Sequence, residues 1–323
     1  MITLTPQTGQ QTAVRQGIVM AAGRGTRLRP ISDLQAKPLV PICNKPIMQY
    51  QLEAMRDAGI TDIAVVVGPT SQDIKYYFRD GAHLGINLTY IDDPNPAGIA
   101  ASLALAENWV TGPFIVFLGD IFLAMDDLTP ALEPMADGAG GLIVVREDTL
   151  DAVRRNFSVE LSPSGAITKV IEKPQDPSTN LKGVGVYVFH PSFFDAIRNT
   201  PVSPLRNEVE ITDAVQNLIN MGRPVWPTEV VRWDINITYP GDMLTCNLKL
   251  LRERKLENLI HEDALVGLDS QLTSSIVGPG AVVDVSATLD ECLVLPGVRV
   301  EGVTGFVRRS IFTDGLVWVA EGA

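Results

Sequence analysis

From residue 260 onward, apolar residues return every six positions: Ile260, Val266 and Leu272; then Val277, Val283, Leu289 and Leu295; then Val300, Phe306, Phe312 and Trp318. Small and turn residues fill the gaps, and VGPGAVVDVSATLDECLVLPGVRVEGV holds almost no helix formers. Such a hexapeptide period marks a β-helix, in which three six-residue flats close one coil. The stretch has room for roughly three to four coils. An irregular β-meander is the competing reading. The period slips between 272 and 277 and between 295 and 300, where corners or loops belong.

The first two-thirds of the chain reads differently. GIVMA (17–21), DIAVVVG (62–68), LTYID (88–92) and PFIVFLGD (113–120) are strand-like runs. Between them, 46–59, 71–81 and about 98–109 have helical spacing or caps. Alternation of this kind predicts a mostly parallel sheet covered on both faces. Ligands of such sheets bind beyond the carboxyl ends of strands, where GIVMA and FIVFLGD terminate. Further strands are expected at GLIVVRE, NFSVELS, ITKVIEK and GVGVYVFH, and helices at DAIRN, at ITDAVQNLINMG and from Pro240 onward.

A chain of 323 residues has room for two domains. The predicted division is a polar tail over 1–16, an α/β domain over 17–258 and the β-helix over 259–323. With 46% hydrophobic and 20% charged residues, the composition is that of a soluble globular protein. A net charge of −12 argues against general affinity for nucleic acid or an anionic membrane surface. Cys43, Cys246 and Cys292 are far apart, as are His83, His190 and His261, so neither a zinc signature nor a disulfide framework is present. That usage, with no signal-type leader and no membrane-length apolar run, predicts a cytoplasmic location.

One loop departs from the acidic background. From Arg24 to Lys45 there are five cations (Arg24, Arg27, Arg29, Lys37, Lys45) against one acid, Asp33. The stretch matches neither GxxxxGK[ST] nor the full GxGxxG, whose third glycine position is Leu28. Its physics still suits phosphate. Glycines at a strand end let backbone N–H groups approach an anion, Arg27 offers a planar fork, and Lys37 a mobile point charge.

Read at full length, AAGRGTRLRP followed by AKPLVPICNKP resembles the signature of the sugar-1-phosphate nucleotidyltransferases. The later landmarks stand in the order of that family: PAGIAAS at 96–102, LGD at 118–120, EKP at 172–174, RNEVEITD at 206–213 and WDINITYPGD at 233–242. The resemblance covers residues 17 to about 258, and the hexapeptide repeats are similar to those of members with an appended left-handed β-helix. It implies a Rossmann-like, mostly parallel mixed sheet followed by a short left-handed β-helix. The implied reaction joins a nucleoside triphosphate to a sugar 1-phosphate, with Mg2+ as cofactor, and releases pyrophosphate.

The resemblance also distributes roles. Ala22, Gly23, Arg24, Gly25, Thr26 and Arg27 correspond to the triphosphate loop, with Arg27 on the leaving pyrophosphate. Lys37 corresponds to the lysine near the α-phosphate and the attacking phosphate. Asp120 corresponds to a magnesium ligand, and Gly98 to a close approach of backbone to the nucleobase. Glu172 and Lys173 correspond to the pair holding the sugar hydroxyls and its phosphate, with Arg206 a second phosphate contact and Glu208 a sugar contact. Arg29 and Lys45 are left to trim the local field or support the fold.

Three positions depart from the family pattern. Asn236 stands where a second metal carboxylate is expected, and Asp234, two residues earlier, is the alternative ligand. Asp93 replaces a base-reading glutamine; an ionised aspartate only accepts hydrogen bonds and would favour a donor-rich base edge. Phe157 replaces a glycine next to the sugar. Asn236 and Phe157 also motivate a second reading, a catalytically weak regulatory paralogue that partners an active subunit. Acetyl transfer by the β-helix would want a general base between coils, and the repeat holds only His261, at its start. The exposed flats of the repeat favour a homo-oligomer.

Overall fold

The first expected strand, β1 (Gln16–Ala21), is buried at every position. In this computed structural model the described residues are 14–23, 25–132, 139–204, 207–284 and 286–320. They fall into two units: Met1–Gly23 with Gln51–Asp234, and Arg24–Tyr50 with Ile235–Ala323. The boundary expected at 258 therefore lies inside the second unit. Gln16, assigned to the polar tail, belongs to β1: its amide donates to Asp62 and the Trp109 carbonyl and accepts from Thr111.

In the first unit, β1, β2 (Asp62–Val67), β3 (Asn87–Asp92) and β4 (Phe114–Leu118) run parallel in the order β3-β2-β1-β4. β5 (Ile121–Met125) leaves this sheet. β6 (Gly141–Glu147), β7 (Phe157–Leu161), β8 (Ile167–Glu172), β9 (Leu181–Phe189) and β10 (Val225–Thr228) extend it to the order β3-β2-β1-β4-β9-β6-β10-β8-β7. This second half is mixed: β9 is antiparallel to β4 and β6, while β10 is parallel to β6. Residues 162–166 are too few for a crossover helix, so β7 and β8 pair antiparallel. β11 (Val231–Asn236) forms a separate ribbon with β5.

The helices are α1 (Ile47–Asp57), α2 (Gln72–Phe78), α3 (Ile99–Ala104), α4 (Leu150–Arg155), α5 (Phe193–Arg198), α6 (Ile211–Asn220) and α7 (Pro240–Glu253). α3 is shorter than the expected helix to 109 because the chain continues in turns from Leu105. The α4 helix has too few apolar positions to be read by periodicity; its local signal is the Thr149 cap, whose hydroxyl accepts from the Ala152 N–H. The core joins Ile18, Val116, Tyr187 and Phe189 of the sheet to Phe193, Phe194, Val215 and Leu218 of α5 and α6.

In the second unit the hexapeptide pattern forms three parallel sheets and a final antiparallel strand. Leu259↔Ile276↔Leu293↔Ile311, Leu265↔Val282↔Arg299 and Gln271↔Thr288 are stacked pairs. The first two coils are thus one residue short of three hexapeptides and the last is full length, and the slip at 272–277 falls beside Ser274, a left-handed corner at φ 47. Glu291 and Arg309 take the same conformation one and two coils later. Phe306, expected inside, is 66% exposed, and Val307 stacks on Leu289 in its place. An extra residue between Val300 and Val307 shifts the period by one. Strand 316–319 turns back antiparallel on 310–313.

The segment 41–50 is tied into this second unit. Asn247, fully buried on α7, accepts from the Cys43 N–H at 2.7 Å and donates to the Pro41 carbonyl at 3.1 Å. Asn44 donates to the Val277 carbonyl at 3.0 Å. Asp242 caps α7 through the Thr238 and Tyr239 N–H groups. No helix of the described residues is long and apolar enough to cross a membrane.

Candidate active site

The cationic loop begins where β1 ends, at Ala22 and Gly23. Arg24 lies outside the described residues. Gly25 is left-handed at φ 62 and opens a single turn, Thr26–Leu28, closed by the Leu28 N–H on the Gly25 carbonyl at 2.9 Å. Leu28 is buried and anchors that turn, so Thr26 and Arg27 are turned outward. Arg27 has no ion pair among the described residues. A Cβ built on Gly25 would stand 3.5 Å from Lys37 Cβ, so the glycine and Lys37 are neighbours. Buried Pro38 and Leu39 hold the turn that carries half-buried Lys37. The other two cations have local partners: Arg29 pairs with Asp33 at 2.9 Å, and Lys45 lies 4.5 Å from the centre of the Tyr50 ring.

In the first unit, glycines draw the carboxyl ends of β1, β2 and β4 together. A Cβ on Gly119 would meet the Met20 carbonyl oxygen at 2.7 Å, and one on Gly68 would meet that of Ala22 at 2.7 Å. Both approaches exclude any side chain. Half-buried Asp120 follows Gly119 directly.

Asp93 is 5% exposed, and both its oxygens are engaged: Oδ2 accepts from Ser102 Oγ at 2.5 Å and Oδ1 from the Asn95 N–H at 3.0 Å. The carboxylate expected to read a base instead organises the 93–102 segment. Gly98, expected to approach the nucleobase, is required by packing. At φ +117, its Cβ would lie 2.5 Å from the Val209 carbonyl oxygen and 2.6 Å from the Val209 nitrogen. Its neighbours Ala97 and Ala100 exchange hydrogen bonds with Val209. Gly98→Ala should cost about 2–3 kcal/mol from backbone strain and overpacking, read as a lower midpoint in urea unfolding. Glu208 lies beside Gly98, its Cβ 3.0 Å from that built atom, and Arg206 lies outside the described residues.

Glu172 and Lys173 are brought together at the end of β8. Lys173 Nζ is 3.4 Å from Glu172 Oε1, and Lys173 takes a left-handed φ of 43. The turn is held by the Lys173 N–H on the Asn156 carbonyl at 2.7 Å. Thr212 Oγ1 donates to Glu172 Oε2 at 3.5 Å. Tyr187, 1% exposed, stacks between Phe157 and Phe189. Burial, and then the charges of Glu172 and Glu210, push its phenol far above the usual range. Thr212 and Tyr187 are neighbours of Glu172 that sequence reasoning missed.

A model of the nucleotidyl transferase family matches residues 16–233, which spans most of the chain. The chain belongs to the nucleotidyl transferase family. Among its relatives, the low-salt glycan biosynthesis nucleotidyltransferase Agl11 of Haloferax volcanii is 35% identical over 80% of this chain and 73% of its own. The glucose-1-phosphate thymidylyltransferase of Streptomyces griseus is 33% identical over 89% of each. A crystal structure assigned as a glucose-1-phosphate thymidylyltransferase of Bacillus anthracis, in complex with sucrose, superimposes with a TM-score of 0.66 at 25% identity. It covers 74% of this chain and 95% of its own.

Within the nucleotidyl transferase fold, an ionic cluster stands that the sequence did not announce. Lys182 Nζ is 2.8 Å from Asp234 Oδ2 and 3.2 Å from Asp148 Oδ2. Arg146 is 3.0 Å from Asp234 Oδ1 and also pairs with Asp148. Lys182 and Asp234 are each 3% exposed. Both oxygens of Asp234 are therefore held by cations. Asn236 is half-buried and its Oδ1 accepts from Thr238 Oγ1 at 3.3 Å. Among the described residues, no three acids, histidines or cysteines group as a metal cage.

Proposed function

We propose that this nucleotidyl transferase joins a nucleoside triphosphate to a sugar 1-phosphate, giving a nucleoside-diphosphate sugar and pyrophosphate. The observation that carries this reading is the loop after β1, where exposed Arg27, without an ion pair among the described residues, and the Gly25–Lys37 contact offer two cations and backbone to a polyphosphate. The Glu172–Lys173 pair supports the sugar phosphate end, matching a hydroxyl acceptor with a phosphate cation. Both named relatives carry nucleotidyl transfer in their names, one of them onto glucose 1-phosphate.

In this reading an oxygen of the sugar phosphate attacks the α-phosphorus and pyrophosphate leaves on the opposite side. A phosphate monoester is already ionised near neutral pH, so the protein needs no general base. Its work is to position the two phosphates and offset their charge. Arg27 grips the departing pyrophosphate, Lys37 neutralises the approaching phosphate, and Glu172 orients the sugar through its hydroxyls.

A magnesium ion fits the donor set. Asp120 offers a carboxylate and Asn236, in the other unit, an amide oxygen, each a hard oxygen donor of the kind Mg2+ takes. When bound, the ion would offset the charge of the phosphates. The β-helix is read as an assembly module of a homo-oligomer in the cytoplasm.

The test is pyrophosphate release with magnesium across a matrix of nucleoside triphosphates and sugar 1-phosphates. Turnover with at least one pair is expected. Binding of nucleotide without turnover by any pair would overturn the proposal in favour of a regulatory paralogue.

A further inference from the structure

The cationic segment Arg24–Tyr50 and α7 belong to the same unit, and one side chain of α7 joins them. Asn247 is fully buried, and its amide is engaged at both ends. Oδ1 accepts from the Cys43 N–H at 2.7 Å, while Nδ2 donates to the Pro41 carbonyl at 3.1 Å and the Met243 carbonyl at 3.0 Å. The Met243 bond runs back one turn of α7 and fixes the side-chain rotamer. The other two reach residues 204 and 206 positions away in the chain. A side chain that only had to fill space here could be apolar. A buried amide bonded at both ends holds its partner segment in one position, because any other leaves polar groups unpaired.

The partner segment is a hairpin. Pro41–Ile42 and Lys45–Pro46 pair antiparallel, joined by Cys43 and Asn44, both left-handed at φ 47 and 64. Such a two-residue turn suits asparagine or glycine, and a cysteine is uncommon there. Cys43 is held in that conformation by Asn247, whose side chain takes its N–H and whose carbonyl accepts from its thiol at 3.6 Å. Asn44 donates to the Val277 carbonyl of the β-helix, and the Tyr50 hydroxyl donates to the Ile42 carbonyl at 2.8 Å. Main-chain bonds carry the hairpin's position on to Lys37: the Ile47 N–H donates to the Val40 carbonyl, and the Val40 N–H to the Lys37 carbonyl, each at 3.1 Å.

We infer that Asn247 is a positioning residue of the transfer reaction, fixing through the hairpin the place from which Lys37 presents its charge. This rests on the reading of Lys37 as the cation that neutralises the approaching phosphate. Lysine carries its ammonium on a flexible four-carbon stem, so where that charge can reach depends on where its backbone is held. A shift of about 1 Å in a reacting group costs about 10²-fold in rate. Without the Asn247 amide, the hairpin keeps its outer ties through Asn44 and Tyr50 but loses the clamp on Pro41 and Cys43.

The experiment measures kcat, KM and Tm for the full chain with its best substrate pair, well below each variant's Tm. It compares the wild type, Asn247→Leu, Lys37→Ala and the double variant. Asn247→Leu should lower kcat by about 10–10²-fold and leave the KM for triphosphate within about threefold. The double variant should be no slower than Lys37→Ala, since a residue that acts through Lys37 has nothing left to position once Lys37 is gone. Lys182→Met, in the other unit, is the control for lost stability alone: a lower Tm with the wild-type kcat. An unchanged kcat in folded Asn247→Leu, or a further loss of equal size on top of Lys37→Ala, overturns the inference. Should Lys37→Ala be too slow to follow, Lys37→Arg provides the second background with the same expectations. Should Asn247→Leu not fold, Asn44→Ala decides: it should lower kcat by about threefold or more with the triphosphate KM unchanged, and a wild-type kcat overturns the inference. No turnover by the wild type overturns the proposed function, and a fully active Lys37→Ala overturns the role of Lys37. The wrong Asn247 result beside an impaired Lys37→Ala overturns this inference alone.

Discussion

Arg27→Ala is expected to lower pyrophosphate release by about 10²–10³-fold, the usual loss when one charge-stabilising contact to a developing anion is removed. The fold should be indifferent to the change. Arg27 is exposed, its turn is anchored by buried Leu28 and closed by the Leu28 N–H, and no acid of the described residues depends on it. The variant should therefore unfold at the wild-type temperature. Arg27→Lys should recover only part of the rate, because a point charge cannot supply the planar fork. Single-turnover assays at saturating triphosphate separate the two effects: the loss should appear in the chemical step as well as in KM. An Arg27→Ala enzyme with most of its rate would show that the loop serves something other than the leaving group.

The second large effect concerns stability. Lys182→Met should destabilise the chain by about 3–5 kcal/mol, the cost of leaving a buried charge without its partner. Asp234 would keep only Arg146, and Asp148 would lose one of two cations. Replacing Lys182 and Asp234 together by apolar residues of similar size should recover much of that loss, which distinguishes an ion-pair effect from a packing defect. Denaturant midpoints at pH 7 provide the measurement.

The cluster also makes a pH dependence. Burial opposes ionisation of Asp148, but the Thr149 N–H, Lys182 and Arg146 outweigh it and hold its carboxyl below the ordinary range. A depressed pKa means that the unfolded chain takes up the proton first. The stabilisation is therefore present above the unfolded pKa, near 3.8, and fades as pH falls through the lower folded value. Lys182→Met should flatten this acid limb.

Local pattern carried a large part of this protein. Runs such as GIVMA and DIAVVVG are apolar throughout because both faces of their strands are covered, so they read as buried strands without knowledge of their neighbours. The β-helix was legible for a related reason: every coil repeats the same inward positions. One extra residue before Val307 was enough to turn Phe306 outward, since a period read from sequence cannot see which corner absorbs an insertion.

The cationic loop was likewise visible in the sequence, because its glycines, Arg27 and Lys37 fall within one short segment. What joins residues distant in sequence was decided by tertiary structure. The Asp93 carboxylate, a candidate base contact by its sequence position, is closed on Ser102 and the Asn95 N–H by the fold. Gly98 answers to Val209, more than a hundred residues away. Asp234 is joined to Lys182 and Arg146, which reach it from two other strands. Phe157 stood out in the sequence as an oddity, and the space that admits it is the missing side chain of Gly183. The sequence determines which groups a segment can offer, through local spacing and residue chemistry. Strand register and packing decide which of those groups remain open to a ligand, because a buried polar group is taken by whichever partner the fold brings to it.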